Sequence, residues 1–213
     1  MSVNYNTITL EVAKRAVEAY NGGSYTGGIK NLDLDRQGLH LFRSGLGLSF
    51  EDIHKQVRFI GVDYGGAAGF RSAWSLAPAI ARDIHSVRDR YSQLVQEAPA
   101  LSGGPSPIEL ISELYRPFVK PLHGNSNWQV WAVKFWHFLN SDAFLIEDSR
   151  VDKFFVLARP NSPEKYVSLL HRFRDFTREH QSWLSVLRRT DGGNAWCDNK
   201  LWDKVCYGVY EIH

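Results

Sequence analysis

Apolar side chains recur along most of this chain with the three-to-four-residue spacing of one helix face. The first such run follows Thr9, a residue that can cap a helix, and ends near two consecutive glycines. Comparable runs predict a helix from Ser49 to Val57, a long one from Pro78 through Leu94, one from Pro107 stopped by Pro117, one over Trp128 to Leu139, and others after Asp148, after Ser162 and near Asp198. Helix-on-helix packing is the architecture that this pattern favours.

Two stretches interrupt the helical pattern. Residues 25–47 are rich in glycine and show little periodicity, which predicts a loop with a short strand. Residues 99–105 combine glycine, serine and proline and are the best candidate for a boundary between lobes. The sequence therefore predicts an all-α, two-lobed helical bundle, with an N-terminal lobe over 1–98 and a C-terminal lobe over 106–213 in one compact unit.

Composition narrows the class of protein. Hydrophobic residues make up 44% of the chain and charged residues 23%, which is typical of a globular domain. The two cysteines, Cys197 and Cys206, lack the spacing of a metal site and suit free thiols in a reducing compartment. We find no run of apolar residues long enough for a membrane span or a signal peptide, so a cytoplasmic location is expected. The scattered histidines favour no metal site, and no cofactor is expected.

The charge distribution permits contact with nucleic acid without requiring it. The formal net charge is only +2, but one C-terminal stretch is strongly basic. Its members are Arg159, Lys165, Arg172, Arg174, Arg178, Arg188 and Arg189. They could face a phosphate backbone, and the alternative is an ordinary solvated helix face.

The segment that carries candidate chemistry reads WAVKFWHFLNSDAFLIEDSRV, from Trp131 to Val151. It places a lysine within a helix and an aspartate at the start of the next one. The lysine-aromatic-histidine run, the Asn-Ser-Asp-Ala-Phe turn and the Ile-Glu-Asp-Ser-Arg-Val helix start make the segment similar to the helix-hairpin-helix DNA glycosylase superfamily. It resembles in particular the bacterial oxoguanine-glycosylase-like proteins. All motifs of this resemblance lie in the C-terminal half.

The resemblance implies a catalytic role for Asp148. Family members hold an aspartate at a helix N-terminus beside the sugar of a flipped nucleotide. Cleavage of an N-glycosidic bond builds positive charge on the sugar ring, and a fixed carboxylate stabilises that charge or activates the incoming nucleophile. The alternative interpretation of Asp148 is an ordinary helix N-cap.

Lys134 is the second catalytic candidate. Bifunctional family members use a lysine amine that attacks the sugar and forms a Schiff base, after which the strand breaks by elimination. Their lysine lies about one helical turn earlier than Lys134 does. Three interpretations therefore remain: a strand-cutting nucleophile, a contact to DNA phosphate, or a surface side chain.

The resemblance also implies a hairpin that binds the DNA backbone. Gly124, Asn125 and Ser126 stand where the family has a Gly-x-Gly turn, and only one glycine remains here. The two polar residues and the following helix start can still bind an anion. His137 and Arg150 are further candidates for DNA contact, and the alternative for His137 is a structural histidine.

A flipped base needs aromatic faces for stacking and polar groups for its edge. Trp131, Trp136 and Tyr64 are candidates for this pocket by residue type, with core packing as the alternative. The cysteine-rich loop that binds an iron-sulfur cluster in some relatives is absent.

These patterns predict a monomeric DNA N-glycosylase that excises a damaged or modified base from double-stranded DNA, in repair or in anti-phage defence. AP-lyase activity is predicted on the condition that Lys134 is the strand-cutting nucleophile. One alternative is a helical ribonuclease toxin, because Arg174 and His180 have an Arg-x5-His spacing that could position a phosphate and move a proton. The other is a non-catalytic nucleic-acid-binding adaptor.

Overall fold

The computed structural model describes residues 4–24, 28–64, 73–101, 107–119, 128–157 and 162–212. Within these segments every regular element is helical, and the only β contact described is an isolated bridge between Ser24 and Lys30. The α-helices are α1 (Leu10–Gly22), α2 (Asn31–Leu41), α3 (Phe50–Arg58), α4 (Ala73–Ser86), α5 (Arg88–Glu97), α6 (Ile108–Val119), α7 (Trp128–Leu139), α8 (Ser149–Phe154), α9 (Pro163–Glu179), α10 (Leu184–Asp191) and α11 (Asp198–Gly208). A π-helix (Phe59–Tyr64) continues α3, and a 3-10 turn (Gln181–Trp183) precedes α10. The prediction of an all-α fold is confirmed.

Helix starts marked by a capping side chain lie where the sequence predicts them. Thr9 accepts a hydrogen bond from the backbone N–H of Val12, and Ser49 and Ser162 cap α3 and α9 in the same way. The Ser49 hydroxyl also donates to the Asp52 carboxylate at 2.8 Å, so the two side chains of this cap are joined directly. The bounds of α7 agree with the prediction, and α11 begins at Asp198 as expected.

The prediction of a loop over 25–47 is wrong, because residues 31–41 form α2. The inward face of this helix carries Asn31, Asp35 and Gly38 beside Leu34, and all four are buried. Polar residues and a glycine break the apolar periodicity, so the helix left no pattern that sequence reasoning could detect.

Three further predictions about helices need correction. Pro78 does not begin its helix but lies inside α4, and the long helix predicted to follow it is two helices separated at Val87. Pro117 likewise lies inside α6, and Pro117 and Phe118 pack into the core. In both helices proline removes one backbone hydrogen bond, and burial of the surrounding turns compensates for that loss. Helix α10 was not predicted.

Helix α7 occupies the middle of the core, since each side chain from Trp131 to Phe138 is buried. Its close approach to the π-helix depends on Gly61, where a Cβ atom would collide with the Trp131 ring. Gly61 begins a glycine-rich run of the sequence, and its lack of a Cβ atom permits this close packing. Lys134, the candidate catalytic lysine, therefore lies on a helix whose side chains are mostly buried.

The two ends of the described chain pack against each other. Helix α1 contacts α10 and α11, and α8 packs on α11. A Cβ atom at Gly208 would collide with the backbone of Ala16, so α1 and α11 lie in direct backbone contact there. Residues from both sides of the 99–105 stretch belong to one hydrophobic cluster. This packing brings α7, α8, α11 and the end of the π-helix together.

Within the described segments, none of the helices combines the length and hydrophobicity needed to cross a bilayer.

Candidate active site

Asp148 lies where the chain leaves the core and enters α8. Residues 143–147, which precede it, are buried, whereas Asp148 itself is only partly buried. Its Oδ1 atom accepts hydrogen bonds from the backbone N–H groups of Arg150 at 2.8 Å and Val151 at 3.0 Å. The hydrogen bonds described for this carboxylate all go to Oδ1, so the N-cap interaction fixes the group and leaves Oδ2 for another partner.

Lys134 is buried in the middle of α7, with 3% of its surface exposed. Its Nζ atom makes a long hydrogen bond of 3.5 Å to the backbone carbonyl of Tyr64 and lies 5.5 Å from the centroid of the Tyr64 ring. The interpretation of Lys134 as a surface side chain is therefore wrong. Burial of an ammonium group is costly, so this side chain is expected to have a functional or structural partner.

Four buried lysines allow a comparison. Lys165 pairs with Glu147 and Asp152, Lys200 with Asp35 and Asp203, and Lys204 with Asp191, each within 3.1 Å. Among the described residues, Lys134 is the buried lysine with no carboxylate at salt-bridge distance. Three of these four lysines thus have a carboxylate partner that stabilises the buried positive charge, and Lys134 does not.

The electrostatic surroundings of Lys134 connect it to Asp148. Burial lowers the pKa of the Lys134 amine, and the positive charges of Lys200 and Arg150 lower it further. The carboxylates of Asp148 and Asp203 act in the opposite direction. The structure therefore brings the two predicted catalytic residues close enough for their charges to interact, and burial favours the neutral amine that a nucleophile requires.

Arg150 lies at the edge of this group. Its guanidinium stacks on the ring of Tyr207 at 3.9 Å from the ring centroid and pairs with Glu211 at 2.5 Å. The side chain is about one-third exposed, so it retains a face toward solvent. Contact of Arg150 with DNA stays a prediction.

A cluster of buried polar residues, here called the Lys200 cluster, includes Tyr64. It comprises Tyr20, Asp35, Tyr64, Lys200 and Asp203. The Lys200 amine donates to the hydroxyls of Tyr20 at 2.8 Å and Tyr64 at 3.1 Å and to the Asp203 carboxylate at 2.9 Å. Burial raises the pKa of Asp203, and Lys200 opposes that rise.

Sequence reasoning missed the Lys200 cluster apart from Tyr64. Its residues come from α1, α2, the π-helix and α11, at separations that local periodicity does not record. The available signal was a lysine and an aspartate three residues apart on α11, a helix whose sequence also places Leu201, Trp202 and Val205 in the core. Two charges of opposite sign on an inward helix face indicate a buried ion pair.

The residues proposed for base stacking are core side chains. Trp131 donates its indole N–H to the Val57 carbonyl at 3.0 Å, and Trp136 donates to the Tyr91 hydroxyl at 2.6 Å. Both indoles are at most 2% exposed, and neither can stack on a base without rearrangement of the core. Tyr64 is also buried, but its ring lies between Lys134 and Lys200.

His137 is a structural histidine in this fold. It is fully buried, and its Nδ1 lies 2.7 Å from the Phe144 carbonyl, to which a neutral ring donates. Burial lowers the pKa of His137 to about 3, so the ring is neutral at physiological pH. This position cannot touch a DNA backbone without unfolding, whereas Gly124, Asn125 and Ser126 lie outside the described residues.

The basic C-terminal stretch is mostly partnered within the protein. Lys165 is buried between two carboxylates, and Arg172 donates to the carbonyls of Phe155 and Val156 at the end of α8. Arg178 and Arg188 pair with aspartates, and Arg159 lies outside the described residues. Lys165 and Arg172 are therefore engaged within the protein, whereas contact of the exposed Arg178, Arg188 and Arg189 with a phosphate backbone stays a prediction.

The Arg-x5-His pair also has internal partners. Arg174 contacts the ring of His171, and His180 lies at the end of α9 with its Nδ1 2.9 Å from the Phe176 carbonyl. The His180 ring packs against Trp183 at a centroid distance of 4.2 Å. Arg174 and His180 thus have different partners on α9 and no hydrogen bond to each other is described, which gives no support to a ribonuclease site.

Beneath Asp148 lies a second buried network. The Lys165 amine bridges the carboxylates of Glu147 at 2.8 Å and Asp152 at 2.6 Å, and Gln129 donates to the other oxygen of Glu147. This network joins α7, α8 and α9 at the residue next to Asp148. Burial raises the pKa of Glu147 to about 7, although Lys165 opposes the rise.

No group of three or more histidine, cysteine, aspartate or glutamate side chains in the described segments could hold a metal ion. Comparisons with family models, with curated proteins and with solved structures found no match for this chain.

Proposed function

We propose that this protein is a DNA N-glycosylase that excises a damaged or modified base from double-stranded DNA, with Asp148 as the essential carboxylate. The observation that carries the proposal is that Lys134 is buried close enough to Asp148 for the two charges to interact, but with no carboxylate at salt-bridge distance among the described residues. Asp148 itself has one carboxylate oxygen fixed by hydrogen bonds and the other available. A buried titratable residue whose pKa is shifted by desolvation and by a specific charged neighbour is a candidate for a functional site.

The chemistry follows from the position of Asp148. As the bond between C1′ and the base nitrogen breaks, its electron pair leaves with the base and the sugar becomes positively charged. A carboxylate held by two backbone N–H groups stabilises that charge without having to reorient, and Oδ2 can take a proton from the attacking water. The partial exposure of Asp148 is consistent with substrate access.

The first test uses a panel of duplexes, each with one modified base, and detects abasic sites after excision. We expect the wild-type protein to produce them from at least one duplex. Asp148→Asn should reduce the rate by about a hundredfold or more, because asparagine keeps the N-cap but not the charge. Asp142→Asn is the matched control, since Asp142 is exposed in the preceding turn and contributes backbone rather than side-chain hydrogen bonds to the fold. Its rate should stay within about twofold of wild type.

Lyase activity is a second, conditional part of the proposal. The neutral Lys134 amine would attack C1′, the base would depart, and the resulting imine would permit elimination of the 3′ phosphate. Borohydride reduces such an imine to a stable link between protein and DNA. We expect trapping by wild type, none by Lys134→Met, and retained trapping by Lys204→Met, which also removes a buried lysine. An adduct that persists in Lys134→Met excludes this nucleophile.

A non-catalytic DNA-binding role is the second candidate. The observation that favours it is the burial of Trp131 and Trp136, which leaves the predicted stacking residues without an exposed face. Binding of duplex DNA without excision from any member of the panel would support this alternative against the glycosylase.

A further inference from the structure

The ring of Tyr64 connects two buried amines. Lys134 Nζ lies 5.5 Å from the ring centroid and Lys200 Nζ lies 5.8 Å from it. The backbone carbonyl of Tyr64 accepts from Lys134, and the Tyr64 hydroxyl accepts from Lys200. One residue at the end of the π-helix therefore contacts both lysines.

The charge of Lys200 is held in a fixed place. The side chain is fully buried, and carboxylates of two different helices lie on it, Asp35 at 3.1 Å and Asp203 at 2.9 Å. The Tyr20 hydroxyl also accepts from Lys200 and itself donates to Asp35. With this many short contacts the ammonium group remains charged and cannot move away from Lys134.

The position of Tyr64 is fixed by the same contacts. Its hydroxyl donates to Asp35 at 2.9 Å, so ring and backbone are tied to α2 and α11. The carbonyl that faces Lys134 is therefore placed by the Lys200 cluster, and π-helical segments often occur where a fold presents such a group at a functional site.

We propose that Lys200 is a positioning residue for Lys134: through Tyr64 it fixes the amine, and through its own charge it favours the neutral, nucleophilic form. The role rests on the nucleophile assigned to Lys134 under the proposed function. A desolvated lysine beside a second cation is a recognised way to obtain a reactive amine at neutral pH.

Besides burial, charged groups on two helices influence the protonation of Lys134. Lys200 and Asp203 act from α11, Arg150 from the first turn of α8, and Asp148 from its N-cap. The cations favour the neutral amine and the carboxylates favour the ammonium. Removal of Lys200 should therefore raise the pKa of Lys134, and removal of the Asp203 charge should lower it.

The test measures Lys134 directly and does not involve DNA. The full-length protein is labelled with ¹³C at lysine Cε, the Lys134 signal is assigned by its loss in Lys134→Gln, and its chemical shift is followed against pH by NMR. We expect a midpoint below that of exposed lysines in wild type, a higher midpoint in Lys200→Met and a lower midpoint in Asp203→Asn. Lys204→Met is the matched control, because it removes the buried lysine of the next α11 turn and should leave the midpoint near the wild-type value.

Opposite shifts distinguish a charge effect from loosening of the fold. If the role of these residues were purely structural, both substitutions would shift the titration midpoint of Lys134 in the same direction, toward the midpoint of an exposed lysine. That result overturns the proposal. If Lys200→Met does not fold, the nearly isosteric Asp203→Asn carries the test, and an unchanged or raised midpoint in it contradicts the assignment.

The duplex panel separates this inference from the proposed function. If the two midpoints shift in opposite directions but no base is excised, the electrostatic coupling of Lys134 to Lys200 is supported and the glycosylase function is rejected. If bases are excised and the covalent adduct is trapped, but the Lys134 midpoint shifts in neither variant, the glycosylase function is supported and the role of Lys200 is rejected.

Discussion

Val156 is the one non-glycine residue of the described segments with a positive φ, at 53°. A β-branched side chain is strained in this region, because its Cβ approaches the backbone carbonyl. The carbonyls of Phe155 and Val156 both accept from Arg172, which holds the turn at the end of α8 in place. The strain thus lies eight residues after Asp148, in the turn that directs the chain from α8 toward α9.

Val156→Gly should therefore stabilise the protein by about 1 kcal/mol. Glycine adopts this φ freely, and the lost side chain is 58% exposed, so little packing is removed. Urea unfolding monitored by circular dichroism measures the change. Val119→Gly is the control, because Val119 is an exposed valine within α6 and glycine there should be neutral or destabilising. A loss of stability in Val156→Gly would show that the turn is not strained.

At the scale of elements, helix starts could be predicted from sequence and buried polar contacts could not. Thr9, Ser49, Asp148 and Ser162 each cap a helix through a donor two or three residues away, so the sequence records the interaction locally. Helix α2 escaped detection because its buried Asp35 has partners on α1 and α11, which no local pattern reports.

The two predicted catalytic residues could be found from the sequence, whereas the rest of the site could not. Lys134 and Asp148 lie on consecutive helices and could be singled out by resemblance. Lys200 and Asp203 reach them only through tertiary packing. The base pocket was predicted from residue type alone, and large aromatic residues more often fill a core than line a pocket.

The junction of α7, α8 and α9 should respond to pH through Glu147. Its pKa is raised to about 7 in the folded protein, from a value near 4.5 in the unfolded chain. A raised carboxyl pKa means that the folded state prefers the protonated form. This contribution to stability is complete below about pH 4.5 and is lost as the pH rises through 7.

Glu147→Gln should remove this pH dependence. Relative to wild type, the variant should gain stability between pH 5 and pH 8 by on the order of 2 kcal/mol. Unfolding free energies of both proteins at pH 5, 6, 7 and 8 provide the measurement, and any constant cost of the substitution cancels in the slope. Parallel pH profiles for the two proteins would contradict the raised pKa.

For the whole molecule, the arrangement of buried charge is the feature that gives the fold its chemical character. Among the described residues, three buried lysines join neighbouring segments through carboxylates, and a fourth, Lys134, is buried near Asp148 without a carboxylate at salt-bridge distance. A helical core could be built more stably from apolar residues alone. We infer that the three ion-paired lysines hold the helices in register around the fourth.

The most direct test of the central claim measures excision and DNA binding in the same samples. For the duplex that wild type processes, single-turnover release of the free base and the dissociation constant are determined for wild type and Asp148→Asn. We predict that Asp148→Asn releases the base at a rate lower by about a hundredfold or more, while its affinity for DNA stays within about threefold of wild type. An equal loss of binding and release, or release by Asp148→Asn at a rate near that of wild type, would contradict this prediction.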